Sequence, residues 1–163
     1  MEENHRGPRS TPGGSVSDSA TLEIPGLAAL RDAEGQVAIG WLASSVLYVR
    51  FSGVLSAELG ARYTGYLHAA VLGVTSLQLF ADSRDLASYD LLTRSAFVRV
   101  VLANRKKFTA LVMLGWPGGV TAATRALVAT LGQPSEIVTD IRQFETKLFA
   151  AAPSARSKLS HTR

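Results

Sequence analysis

The sequence predicts an α/β domain: a small mixed sheet, mostly parallel, with an antiparallel hairpin at its N-terminal side and about four covering helices. Three observations predict it. Short runs rich in β-branched and aromatic residues alternate with stretches of helical period from Gln36 onward. The runs 46–51, 77–81 and 108–114 are apolar at successive rather than alternate positions, which is the mark of strands covered on both faces. Single helices separate the later runs, so those strands must pair largely in parallel through right-handed crossovers.

Residues 1–20 are rich in Gly, Pro, Ser and charge, lack a period, and read as a disordered arm. A short apolar cluster within 21–35 (Leu22, Ile24, Leu27, Leu30) reads as a lead-in segment with a helix from Gly26. Val37, Ile39 and Trp41 alternate up to Ser44-Ser45, and Val46 to Phe51 runs on to Ser52-Gly53. These two β-rich runs around a polar connection predict the hairpin. Ser56 stands where it can cap a helix, and Glu58 in the first turn suits the positive end of the dipole. Leu59, Tyr63, Tyr66, Leu67 and Ala70 then recur at helical spacing until Gly73.

After the strand at 77–81, residues 82–90 are the most polar interior stretch. They read as a loop into a long helix reaching about Lys107, with Leu91, Val98, Val101 and Leu102 in its apolar stripe. Phe108 to Leu114 is a further buried strand, and Trp116-Pro117-Gly118-Gly119 reads as a turn. Val120, Ala123, Leu127 and Leu131 mark the next helix, ended by Gly132, and a short strand covers Glu136 to Val138. Asp140 with Gln143 resembles a capping box ahead of Ile141, Phe144 and Leu148. Beyond Pro153 the period is lost, so 153–163 reads as a basic disordered tail and 36–152 as the single domain.

Composition narrows the function. The chain has 163 residues, 47% of them hydrophobic, enough for one core. Its formal net charge is +4, yet the one basic run, Arg105-Lys106-Lys107, falls at an expected helix end where cations suit the dipole. No basic stripe with stacking aromatics is present, so a nucleic-acid partner is not expected. The chain contains no cysteine, which removes disulfides, thiolate catalysis and zinc–thiolate sites and is compatible with a reducing cytoplasm. No secretory signal is read after Met1. Residues 63–81 are uncharged and about long enough to cross a bilayer. They contain His68, Gly73, Thr75, Ser76 and Gln78 and change period near Gly73, so a helix followed by a strand is expected rather than a membrane span.

The element order resembles the STAS-domain family of sulfate transporters and anti-sigma-factor antagonists, in its SpoIIAA-like branch, over roughly residues 36–151. The resemblance rests on Tyr48-Val-Arg-Phe-Ser-Gly53 before the first helix, Leu77-Gln-Leu-Phe-Ala-Asp82 before the polar stretch, and Phe144 on a closing helix. It implies a bacterial-type signalling protein that binds a regulatory protein partner. In signalling members the strand-end Asp leads to an Asp-Ser-Ser-Gly-type turn whose first Ser is phosphorylated. Setting Asp82 on the strand-end Asp puts Asp90 on the Asp of that turn, Leu91 on the phosphorylated Ser, and Leu92 next. Leucine accepts no phosphate, so the resemblance implies the scaffold without its switch. Ser88 and Thr93 flank the position but read more simply as a cap or an exposed helix hydroxyl.

No catalytic constellation is legible. His5, His68 and His161 lie in the arm, a helix and the tail, and no Gly-x-Ser-x-Gly elbow is present. Asp82 and Asp90 are the one pair of acids placed for general acid/base work. Asp82, Asp85 and Asp90 offer oxygen ligands for Mg²⁺, but Arg84 and Arg94 beside them predict ion pairing, so neither a metal nor a cofactor is expected. The candidate partner-binding residues are Asp82, Ser83, Arg84, Asp85, Ser88, Tyr89, Asp90 and Arg94. Trp116, Gly118, Gly119 and Thr121, between a strand and a helix start, form a candidate anion or ligand site through free backbone N–H groups, without the lysine of a P-loop. Both groups fall at the carboxyl ends of parallel strands, where ligands collect in open α/β sheets.

The expected function is therefore a non-catalytic regulatory module that docks a protein partner. Two alternatives stand beside it: a small-ligand binder for a nucleotide or a lipid, and an enzyme using Asp82 or Asp90. A homodimer through the exposed edge of the opening strands is a further expectation.

Overall fold

A computed structural model describes residues 22, 24–115, 122–132 and 134–159. Its strands are β1 (Ala28–Arg31), β2 (Gly35–Ala43), β3 (Val46–Leu55), β4 (Leu77–Tyr89), β5 (Phe108–Leu114) and β6 (Glu136–Val138). The helices are α1 (Ala57–Leu72), α2 (Leu91–Ala103), α3 (Ala122–Leu131), α4 (Ile141–Ala151) and α5 (Pro153–Leu159). The strands form one sheet in simple chain order, antiparallel from β1 to β3 and parallel from β3 to β6.

That order dictates the layers. Successive right-handed crossovers stepping the same way across a sheet place their helices on one face. Accordingly Leu59, Tyr63 and Leu67 of α1, Val101 of α2, and Leu127 and Val128 of α3 share one cluster with Leu47, Val49, Leu79 and Leu111 from the sheet. The alternate strand residues Val46, Tyr48, Phe80, Val112 and Leu114 face the other way, onto Phe144 and Leu148 of α4 and Ala155 of α5. The successive apolar positions read from the sequence are thus two interleaved faces, each with its own helical cover.

Local signals work as expected at the helix starts. The Ser56 hydroxyl accepts from Leu59 N at 3.1 Å, and Asp140 accepts from Arg142 N at 2.8 Å. The basic run lies just past the end of α2, and Lys107 donates from Nζ to the Val71 carbonyl at the end of α1, at 2.9 Å. The cation there serves the C-terminal end of a neighbouring helix rather than of its own.

Four expectations are corrected. The lead-in helix from Gly26 is instead strand β1, paired antiparallel with β2 from Ala28↔Ile39 to Arg31↔Gln36. Four residues are too few to offset helix nucleation, whereas the open edge of β2 offers a row of unpaired backbone groups. Asp32 makes the turn between them, its carboxylate accepting from Glu34 N and Gly35 N. The sheet edge is therefore β1, and β2 is paired on both sides.

The second correction is larger. Residues 83–89 are not a loop but the continuation of β4, paired in parallel with β3 as far as Leu55↔Tyr89. Two register shifts, between Arg50 and Ser52 and between Gly53 and Val54, absorb the extra residues of β4 as bulges. Gly53 sits at φ +73, where a side chain would be strained, and a Cβ there would run into the Glu34 carbonyl. Third, the helix expected to reach Lys107 ends at Ala103. Fourth, part of the expected disordered tail forms α5, giving five helices among the described residues, and Ala152 and Ala155 close the second face. Two small alanines leave almost no hydrophobic period, which is why the sequence read as structureless there.

Candidate functional site

The site is created by a split in the sheet. β4 and β5 pair from Leu77↔Phe108 to Asp82↔Leu114, where β5 ends. β4 continues for seven more residues, paired with β3. Among the described residues, the edge of β4 that faced β5 has no strand partner beyond Asp82, and residues of α2 and α3 line the gap. A cavity of about 170 Å³ fills it, walled by Leu86 and Tyr89 of β4, Phe97 and Val98 of α2, Met113 of β5 and Leu127 of α3. Its place at the carboxyl ends of parallel strands is where open α/β sheets gather ligands.

The rim at the split is fixed by charge pairing. Asp82 is 1% exposed, and its carboxylate takes a fork from Arg84, Nε to Oδ1 at 3.0 Å and Nη2 to Oδ2 at 2.8 Å. Arg84 is pushed above its ordinary basicity, chiefly by that hydrogen bond. One bulge on, Arg50 of β3 pairs with the exposed Asp85 across the two strands. Ser83 donates to the Leu114 carbonyl at 2.9 Å, tying β4 to the last residue of β5 at the point of divergence. These bonds convert a polar, loop-like sequence into an ordered strand.

Among the described residues, the hydroxyls of Tyr48 and Tyr63 lie deep in the molecule without a hydrogen-bond partner. Tyr48 lies close enough to Asp82 for the carboxylate charge to act on it, and burial first, then that charge, pushes its hydroxyl well above the usual tyrosine range. Tyr63, on α1, lines the cavity; burial alone raises it. Its ring meets Phe51 edge-on with centroids 5.0 Å apart and stacks on Phe97 at 6.3 Å. Both hydroxyls are therefore neutral at physiological pH.

The candidate residues separate into distinct roles. Asp82 is buried and bound to Arg84, so it is no part of an open surface. Asp85 is held by Arg50, and Asp90 is the N-cap of α2, accepting from Leu92 N at 2.8 Å. The three carboxylates thus have separate structural partners, and among the described residues no cluster of three or more His or acidic side chains is placed to hold a metal. Ser88, Tyr89 and Arg94 all line the cavity. Thr93 is buried, its hydroxyl donating to the Ser56 carbonyl at 3.3 Å, so it is an inter-helix contact rather than an exposed hydroxyl. Trp116, Gly118, Gly119 and Thr121 lie outside the described residues.

Leu91 and Leu92, at 63% and 73% exposure, open the first turn of α2 directly after the Asp90 cap. The sequence reading placed Leu91 in an apolar stripe; the structure turns it outward. That reading also assigned Tyr63 to the core without its cavity, and gave Phe97 and Met113 no role. Their only signal is apolarity, which does not distinguish a packed wall from a hollow one.

No protein-family profile matches the sequence, and no curated protein does. Among solved structures, the chain matches an uncharacterised DUF3478-family protein from Shewanella loihica PV-4, described as having a SpoIIAA-like fold. The two are 20% identical with a TM-score of 0.56, over 73% of this chain and 98% of that one. The fold is SpoIIAA-like. The anti-sigma factor antagonist SpoIIAA in its unphosphorylated form matches at 15% identity and a TM-score of 0.43, over 68% of this chain and 95% of that one, too distant to carry an argument. The SpoIIAA-like architecture accounts for the mixed sheet in chain order with helices on both faces, as the element order led one to expect. Among the described residues of this SpoIIAA-like domain no helix is long and apolar enough to cross a membrane.

Proposed function

We propose that this SpoIIAA-like domain is a non-catalytic regulatory module of the cytoplasm that docks a protein partner through the start of α2 and the adjoining end of β4. The observation that carries the proposal is the exposed pair Leu91-Leu92 on the first turn of α2. Side-by-side leucines in water lose free energy that a partner's apolar surface recovers. Arg94, on the same turn of α2, and Asp85, exposed on β4, would supply the polar part of the surface. The other candidate charges are engaged inside the fold, Asp82 with Arg84 and Asp90 with the helix backbone. That engagement also speaks against the enzyme alternative, because neither acid is left free as a general base. With Leu91 at the position where signalling relatives carry a phosphorylated serine, docking here is constitutive with respect to that modification.

The test is affinity purification of the parent and of a Leu91→Lys/Leu92→Lys double variant from the native host. A protein held by the parent at stoichiometric level and released by the variant, with circular dichroism unchanged, supports the reading. If the variant keeps every partner of the parent, this surface is the wrong one.

A further inference from the structure

The cavity at the split carries an inference separate from protein docking. Its walls are largely apolar, and about 170 Å³ is close to the roughly 150 Å³ engineered cavity that holds a benzene molecule. That free volume suits a single small ring. One charged side chain, Arg94, stands in this lining, together with the hydroxyl residues Ser83 and Ser88. Arg94 lines the cavity from α2 and makes no ion pair among the described residues. Tyr63 lines it from α1 with its ring, its hydroxyl being sealed away from the open space. The walls at Phe51, Tyr63 and Phe97 are aromatic and already packed edge-on and stacked, the geometries that accept another ring.

We propose that this cavity binds a small aromatic monocarboxylate. The carboxylate meets Arg94, and the ring fills the space between α2 and the edge of β4 beyond Asp82. A guanidinium facing a carboxylate in a mostly apolar, water-poor setting gives a strong charge-assisted hydrogen bond. The proposal is one of binding alone: among the described lining residues no histidine, lysine or carboxylate stands beside the serine hydroxyls to activate them.

The experiment uses the full chain and methyl-resolved NMR, with phenylacetate, benzyl alcohol, palmitate and ATP as probes. Phenylacetate is expected to move the methyl signals of Leu86, Met113 and Leu127 and to raise the melting temperature. Arg94→Gln is expected to weaken phenylacetate about tenfold while leaving benzyl alcohol unchanged, the size of one lost charged hydrogen bond. Ala87→Phe, at an exposed lining position that leaves the buried core untouched, should exclude every aromatic probe. Silence of the three methyl groups at millimolar phenylacetate overturns the proposal. So does equal weakening of acid and alcohol by Arg94→Gln, or tighter binding of palmitate or ATP at the same signals.

Discussion

Gly60 of α1 lies directly against Thr93 of α2, so close that a methyl group built on Gly60 would overlap the Thr93 Oγ1, Cγ2 and Cβ atoms. The two helices meet at this point, beside the Thr93 hydroxyl's bond to the Ser56 carbonyl. Thr93 is β-branched and buried, so its side chain is stiff at χ1 and gives way at a cost. Gly60→Ala is therefore expected to destabilise the domain by about 2 kcal/mol, despite alanine's better helix propensity. Urea denaturation measures the loss. Thr93→Ala on the same background should restore part of it, because the two substitutions touch.

The Asp82–Arg84 fork holds the root of the β4 extension, with Asp82 buried and Arg84 mostly so. Arg84→Ala would leave a carboxylate in the interior without its cation and is expected to cost about 3 kcal/mol. Replacing both residues with alanine should cost less than the sum of the single changes. A four-member cycle by chemical denaturation checks this, and strict additivity would show that the pair does not act as a unit.

Leu91→Lys/Leu92→Lys is expected to leave stability within about 0.5 kcal/mol of the parent, since both side chains already face water. A loss above 2 kcal/mol by denaturant titration would show that the pair packs inside the fold and is unavailable for docking.

Stability should fall at both ends of the pH scale. Asp32 is held below the usual carboxylate range, first by the Ser56 hydroxyl and then by the backbone N–H groups of Glu34 and Gly35. Its folded pKa is depressed, so its contribution is present at neutral pH and is lost as pH falls through its folded value. Tyr48 and Tyr63 are raised, mainly by burial. The unfolded chain ionises its tyrosines near pH 10, while the folded chain cannot do so until higher pH. Their contribution is complete below about pH 10 and declines as pH rises beyond it. Melting temperatures across the range should show an alkaline fall that is reduced in Tyr63→Phe and an acid fall that is reduced in Asp32→Asn.

Much of the fold was legible because burial writes itself into the sequence. Val46 to Phe51 and Phe108 to Leu114 are apolar at successive positions, and both prove to be strands covered on two faces. Ser56 and Asp140 cap their helices because a short side-chain oxygen is the natural acceptor for orphan N–H groups. Residues 82–90 were misread because Asp, Ser and Arg carry no strand signal alone. Their strand exists only because Arg50 from a distant segment neutralises Asp85 and β3 supplies the ladder. β1 was misread for the same reason, since its partner edge is invisible locally.

By itself, then, the chain determined the alternation of strands and helices, the two-sided core, the helix caps and the absence of any cysteine chemistry, all of which depend on neighbours a few residues apart. Tertiary structure alone decided that β4 outruns β5, that the gap between them is a hollow reached by Tyr63 and Arg94, and that Leu91 and Leu92 face water. Those outcomes depend on where strands end relative to one another and on which atoms meet across the sheet, distances that no local pattern encodes.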